Sequence, residues 1–513
     1  MSYTNIGDYG IIGDLHTVAL VSIDGSIDWC CLPRFDSPSI FGSILDDKIG
    51  GHFKIAPVQK GNTRQMYLPE TNILLTRFLQ HDGVGELTDF MPVESDEAGY
   101  RPRRHQIIRM LSVVRGTVTF RLECSPGFNF GRDAHEIDEQ PKGIIFRSGE
   151  QSVGLVSPIP LQTREGVAFQ EFTLQQGESL TFFLEYLETK NGTPLLSTPE
   201  SGEEAFRNTS AFWQRWLSQC QYDGRWREVV HRSALTLKLL TYAPTGAIVA
   251  APTTSLPEHI GGPRNWDYRY CWVRDAFFTV RALNSLAATR TLEHYFQWLM
   301  NAVADAEGGH IQPVLGLGLE TALTERISPS LQGFRGMGPV RIGNQAHEHF
   351  QHDTYGNIIL GAAPAFFDHR LPMNTGRTAF EQLEPLGEQA WELHDEPDAG
   401  IWELRSRARI HTSSSLMCWA ACDRLGKIAR HLKLDDRAAL WAERAEVIRD
   451  KILDNAWSEE RGAFVESFGG STLDASVLLM GEVGFLPPKD PRFIATVERL
   501  SEVLGRGPFM LRY

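Results

Sequence analysis

A change of pattern near Thr198 constrains the fold of this chain more than any other feature. Before it, short apolar runs sit between turn signals: TVALVSIDGSIDWCCLP, MYLPETNILLTRFLQ, GVGELTDFMPV, HQIIRMLSVVRGTVTFRLECSP and VAFQEFTLQQGESLTFFLEYLE. Closely spaced, turn-bounded strands of this kind predict an antiparallel sandwich rather than a parallel α/β sheet. In the first run Asp24-Gly25 separates two apolar segments, a hairpin signal that implies a type I′ turn. After Thr198, SGEEAFRNTSAFWQRWLSQC reads as a helix linking two domains, and from Trp226 onward the chain is mostly helical. Helices are expected over 225–242, 275–289, 290–306, 344–367, 377–394, 412–433, 435–456, 472–484 and 490–505. The division expected is a β-sandwich domain over 1–200, a helical linker over 201–223 and a helical domain over 224–513. Two long loops, 243–274 and 307–343, are of a length that is usually functional. No fixed-period repeat points to a solenoid.

The 513 residues, 42% hydrophobic and 22% charged, suit a soluble globular protein with a large core. A net charge of −14 argues against nucleic acid or an anionic membrane as partner and is indifferent to a neutral sugar. The opening MSYTNIGDYGIIGDLH has no signal-peptide pattern, and no apolar run is long enough to span a membrane. Seven cysteines without a CxxC pair fit a reducing, cytoplasmic location. Cys418 and Cys422, at i and i+4, lack a second ligand pair and read as buried thiols rather than a metal site. His347, His349 and His352 do not share one helix face, so no metal site is expected there either.

Two stretches carry the candidate chemistry. In Ser255–Asp275, Gly261, Gly262 and Pro263 open an irregular loop, and Trp266, Tyr268, Tyr270 and Trp272 then alternate. Arg274 and Asp275 follow, just before the helical spacing of Ala276, Phe277, Val280, Leu283 and Leu286, which places Asp275 at or near an N-cap. Flat apolar faces beside Asp and Arg groups suit a sugar and its vicinal hydroxyls. The residues alone equally allow a capping Asp275, a solvated Arg274 and core aromatics. Glycoside hydrolysis usually needs two carboxyl groups, one of which must hold a proton near neutral pH. Glu403, in DEPDAGIWELRSRARIHTSSS, follows Trp402 at a loop-to-helix junction made by Pro397 and Gly400. From the residues alone it is either that acid or a surface carboxylate paired with Arg405 or Arg407.

The phrase GGPRNWDYRYCWVRDA resembles the signature of glycoside hydrolase family 15, the glucoamylase and trehalase-like glucohydrolases, and the resemblance covers essentially the whole chain. It implies an N-terminal antiparallel β super-sandwich, a helical linker and a C-terminal all-α (α/α)6 barrel with its pocket at one end. The family's barrel has twelve helices; about nine are read here before GPFMLRY, so the barrel is expected to be missing its last helices. GIWELR matches the family's acid-bearing stretch, which implies Glu403 as general acid and Trp402 beside the substrate. Arg274 and Asp275 match the pair that grips the non-reducing-end sugar, and Tyr268 and Trp272 match aromatics lining that subsite and the next. Trp266 is a further aromatic candidate. LQGFRGMGPVRIGNQAHEHFQHDTYG looks like another family stretch, in which Arg341 and Asn344 are either substrate ligands or structural.

Leu404 departs from fungal glucoamylases, which carry a second Glu there, and Ser413 and Ser415 depart from bulkier or basic residues in many bacterial relatives. The general base, borne in the family on an ETAF- or EGAF-like stretch, has no match and is expected beyond Tyr513. Glu466 and Asp474 are the nearest in-chain carboxylates by position; Asp474 reads as a helix cap and Glu466 as a residue lining the cleft. The resemblance implies an exo-acting, inverting, glucoamylase-like hydrolase of oligosaccharide or disaccharide α-glucosides that needs no cofactor. The alternatives are a trehalase with the same machinery and a non-catalytic sugar-binding fragment. A lyase or terpene cyclase toroid finds no DDxxD-type motif in its favour.

Overall fold

The computed structural model describes residues 3–93, 105–187, 192, 197–371, 375–405 and 407–513. One 21-residue strand, Gln106–Pro126, organises the β region. Its first half pairs antiparallel with Gly83–Phe90 and Ser179–Leu187, and its second half with Gly51–Pro57 and Val167–Gln175. The change of partners falls near Gly116, at φ +67°, where a Cβ would stand 2.0 Å from the Asp82 carbonyl oxygen, so only glycine fits. Among the described residues fifteen strands join into one antiparallel sheet. Side chains from both halves, among them Phe78, Leu111, Phe120, Phe146 and Leu184, close one core. Gly83–Phe90 shows the cause: its positions alternate between buried and half-buried, as a period of two demands.

The Asp24-Gly25 hairpin forms, but its turn is not type I′. The strands end at Ser22 and resume at Ser26, leaving three loop residues. The Gly25 amide donates to the Ser22 carbonyl (2.9 Å), and Gly25 alone in the loop has positive φ, at +74°. That is a type I turn closed by a left-handed glycine, the three-residue solution. Ile55 O lies 2.5 Å from where a Gly25 Cβ would be, which reserves the position for glycine.

The chain leaves the β region through helix α1 (Pro199–Ser218), where Thr198 and Ser201 bond reciprocally in a capping box. The longer helices that follow are α2 (Arg227–Leu239), α3 (Val273–Ser285), α4 (Thr289–Ala304) and α5 (Asp353–Ala362). Then come α6 (Arg377–Leu393), α7 (Thr412–His431), α8 (Asp435–Asn455) and α9 (Pro491–Leu504). All ten residues of α5 and fifteen of the twenty in α7 are buried, as in helices enclosed on every side. By contrast α8 buries one stripe: Ala438, Trp441, Ala445, Ile448 and Ile452. The packing follows from this: α3 touches α5, α5 touches α7, and α6 and α8 are laid against α7. No described helix is long and apolar enough to cross a membrane.

Three expected helices differ. The span 344–367 is not one helix: Asn344 caps a 3-10 turn, Gln345–Glu348, His349 is extended, and α5 starts only at Asp353. Pro364, which has no amide proton to donate, opens a separate short turn, Pro364–Phe367. The span 472–484 splits into the short turns Ala475–Leu478 and Leu479–Glu482. Helix α3 starts at Val273 with Trp272 as its N-cap, so Asp275 lies inside the first turn rather than at the cap.

Candidate active site

The N-terminal ends of α3, α5 and α7 meet at one end of the helical region, and the loops before them build the site. Arg274 and Asp275 occupy the first turn of α3, Asp353 is the first residue of α5, and His411 is the N-cap of α7. The segment between Asp398 and His411 supplies Glu403. Asp398 and Arg409 close its base as an isolated antiparallel bridge.

Arg274 is the hub. Its guanidinium donates to Gln351 Oε1 (2.9 Å), Asp353 Oδ2 (3.0 Å) and Glu403 Oε1 (3.1 Å). Burial opposes its charge, but Asp353, Glu403 and Asp275 outweigh that and hold its pKa above the ordinary value. Trp272 Nε1 donates to the same Glu403 oxygen at 2.7 Å. Glu403 is therefore bonded across a sequence gap of 129 residues to the Arg274 turn, and neither Arg405 nor Arg407 pairs with it. The Glu403 backbone sits in the left-handed region at φ +53°, a strain of about 1–3 kcal/mol that persists only where surroundings enforce it and that recurs at functional sites.

Asp275 is exposed by area yet hemmed in by protein. Burial pushes its carboxyl pKa up, Arg274 pulls it down, and the negative charges of Glu403 and Asp353 raise it further; the net direction is upward. The exposure means solvent tempers that shift. Gln351 Nε2 and Asp353 Oδ1 are buried and have no protein partner among the described residues, so water or a ligand must satisfy them. Donors, acceptors and carboxylates thus converge beside the Tyr268 ring, whose centroid is 5.7 Å from that of Trp272.

The other expected site residues are placed as follows. Trp272 is 2% exposed and meets Glu403 as a hydrogen-bond donor. Trp402 donates from Nε1 to Asp474 Oδ2 (2.7 Å), with Arg512 over its ring at 5.2 Å. Trp266 lies under two guanidinium groups, Arg405 at 3.8 Å and Arg341 at 4.4 Å. Arg341 is committed to Glu325 (3.1 Å) and to both oxygens of Asn265. Asn344 is buried, accepting from the Ala346 amide and donating to the Asp267 carbonyl. Glu466 is buried and bonded to Arg407 at 2.5 Å, while Asp474 also caps the Ser476 amide.

Gln351 and Asp353 were not anticipated. The usable signal was an acidic residue at the start of an apolar helix, GNIILGA, which the single 344–367 helix concealed. All seven cysteines are free thiols, and among the described residues no group of three or more His, Cys, Asp or Glu could hold a metal ion. Two cavities lie elsewhere. One of about 470 Å³ opens between the C-terminal halves of α3 and α7, on an apolar floor that includes Phe277, Val280 and Leu360. The other, of about 530 Å³, lies behind Tyr270, beside Asp36 and Glu320. Neither includes Glu403, Arg274 or Asp275, and the convergence of charge, not cavity size, selects the site.

Known proteins resemble the chain over both its β and its helical region. The profile described as glycosyl hydrolases family 15 matches residues 224–508, and that described as trehalase-like, N-terminal, matches 2–207. A trehalase of Thermoplasma volcanium is 32% identical over 100% of this chain and 81% of its own length. A trehalase of Mycobacterium tuberculosis is 33% identical, covering 99% of this chain and 77% of itself, and one of Mycolicibacterium smegmatis is 34% identical, covering 99% and 78%. A bacterial glucoamylase complexed with acarbose superposes with a TM-score of 0.69 over 98% of this chain and 79% of its own; at 12% identity this is a likeness of fold.

Proposed function

The chain belongs to family 15 of the glycosyl hydrolases, and from that premise we propose that it is a trehalase-type enzyme that hydrolyses an α-glucosidic bond at a terminal glucose. The similarity to relatives named trehalase over essentially the whole chain favours trehalose over the glucoamylase-like chain-end substrate. Leu404 is consistent with this, since it leaves the position after the acid without a second carboxylate. On the same footing we assign the β region and the helical region to a super-sandwich and an (α/α)6 barrel, divided as 1–200, 201–223 and 224–513.

One observation carries the mechanism: Glu403 shares an oxygen with Arg274 and Trp272, next to the Asp275 carboxylate. In our reading Asp275 accepts from sugar hydroxyls, and Gln351 Nε2 and Asp353 Oδ1 meet others. Arg274 orders the carboxylates that surround it. The Tyr268 ring offers an apolar wall to the sugar. Glu403 then protonates the departing oxygen as an oxocarbenium-like centre develops, and water attacks from the opposite face with inversion. Asp474 accepts protein donors on both oxygens, and Glu466 accepts Arg407 on Oε1 and is buried, its Oε2 without a hydrogen-bond partner among the described residues, so we assign the water-activating role to neither. That engagement sustains a second reading, a sugar-binding fragment without turnover. Glucose release from trehalose, maltose and maltotriose separates these readings. Steady release, fastest from trehalose, is the expected result; faster release from maltotriose returns the glucoamylase reading, and tight sugar binding without release establishes the fragment.

A further inference from the structure

Arg405 stands two residues after Glu403 but turns away from it. Its Nη1 donates to Glu325 Oε1 (3.2 Å) and Gln345 Oε1 (3.1 Å), and its Nη2 to Glu325 Oε2 (2.8 Å). Its guanidinium lies 3.8 Å from the centre of the Trp266 ring. Glu325 also accepts from Arg341 Nε, and Arg341 is bonded to Asn265, so Arg405 ties its loop to three others at once. On the other side of Glu403, Trp402 is tied to Asp474. Glu403 thus lies between two anchored neighbours, with a backbone in a region that non-glycine residues avoid. Such a residue does not keep its direction by its own preference. Its direction is set by what holds the residues around it.

We infer that Arg405 is a positioning residue: forked onto Glu325 and stacked on Trp266, it fixes the far side of the loop 399–405 so that Glu403 stays against Arg274 and Trp272. The catalytic consequence rests on reading Glu403 as the proton donor; the placement of the loop does not. A planar fork that also stacks is a guanidinium property, and the point charge of a lysine supplies neither contact in full.

Hydrogen–deuterium exchange of the intact chain tests the placement without needing turnover. The amides of Glu403 and Leu404 are bonded to the carbonyls of Gly400 and Ala399. In Arg405→Ala they are expected to exchange about tenfold faster or more while α7 stays protected, since local opening is separate from global unfolding. Unchanged exchange across 399–405 overturns the inference. Should Arg405→Ala fail to fold, Arg405→Lys is expected to show the same local effect at smaller amplitude, and no effect there overturns it as well.

The catalytic consequence is read by comparing a disaccharide with α-glucosyl fluoride, whose leaving group needs no proton. Arg405→Ala is expected to lower kcat on the disaccharide about 10²-fold with KM little changed, and to be nearly silent on the fluoride, because a misplaced acid is felt only where a proton must be delivered. Raised KM on both substrates would show Arg405 gripping sugar instead. Glu403→Gln run alongside separates the two readings: full disaccharide turnover in that variant removes the acid assignment, while the exchange result for Arg405 stands by itself.

Discussion

At the scale of single residues, the site turns on carboxylates whose surroundings differ. Glu403 accepts two donors on one oxygen, and replacing it by glutamine keeps the shape while removing the transferable proton. Glu403→Gln is expected to lower the rate of glucose release by about 10²–10⁴-fold, as removal of a general acid does. Asp275 has a folded-state pKa above its ordinary value, through burial and the neighbouring negative charges. The folded protein therefore takes up this proton at a higher pH than the unfolded chain does. Between the two pKa values stability falls as pH rises, an effect that solvent reduces because the side chain is exposed. Asp275→Asn is expected to raise the melting temperature at pH 7 while weakening sugar affinity by ~10²-fold, the loss of a bond to a charged acceptor. Calorimetry and a binding titration check the pair. Wild-type affinity should also fall on acidification, at a pH above the ordinary carboxylate range; an affinity constant down to pH 4 would contradict the role given to Asp275.

At the scale of elements, the acid loop is held by bonds from its own ends. The buried Asp398 accepts from Ser414 Oγ (2.7 Å) and the His352 amide (2.9 Å) and pairs with His411 Nδ1 (2.8 Å). Gly400 passes beside that imidazole at φ +67°, and a Cβ there would stand 2.8 Å from the ring. Gly400→Ala is therefore expected to destabilise the protein by about 1–3 kcal/mol in urea unfolding and to lower kcat more than it raises KM. Glu325, the partner of Arg405, is pushed up by burial but pulled further down by the Arg405 and Gln345 hydrogen bonds and the charges of Arg405 and Arg341. Its folded pKa lies below its unfolded one. Its anchoring is complete at neutral pH and is lost only as pH falls through that lowered value.

At the scale of the whole molecule, the two regions are joined by buried polar bonds as well as apolar contact. Leu15, Val18, Phe35 and Val93 from the β region belong to the same core as the helices. Arg269 and Asp267, both fully buried and 2.7 Å apart, link three parts of the chain. Arg269 donates to Ser37 O (2.7 Å), and Asp267 accepts from the Gly343 amide (3.1 Å). Arg232 adds another strut, its guanidinium 4.0 Å from the Tyr67 ring centre. Removing one partner of a buried pair strands the other, so Arg269→Met is expected to lower stability by about 3–5 kcal/mol. Because the core is shared, β and helical regions should melt in one calorimetric transition; two separable transitions would refute that coupling.

The sequence by itself determined the elements and the chemistry at stake. Period-two runs before Thr198 marked strands, the apolar spacing after it marked most of the helices but not the breaks within 344–367 and 472–484, and WVRD and GIWELR marked their charged residues. It did not determine partners. Nothing local shows that Trp272 would turn its indole nitrogen to Glu403, that Gln351 and Asp353 would complete the Arg274 hub, or that Arg405 would stack on Trp266 instead of pairing with Glu403. It also set the Asp24-Gly25 turn wrongly, because the register of the flanking strands, not the dipeptide, chose a three-residue loop. The physical reason is common to all of these. Periodicity and capping act within a few residues, whereas the bonds of the site cross more than seventy, and only the packing of α3, α5 and α7 brings their ends together.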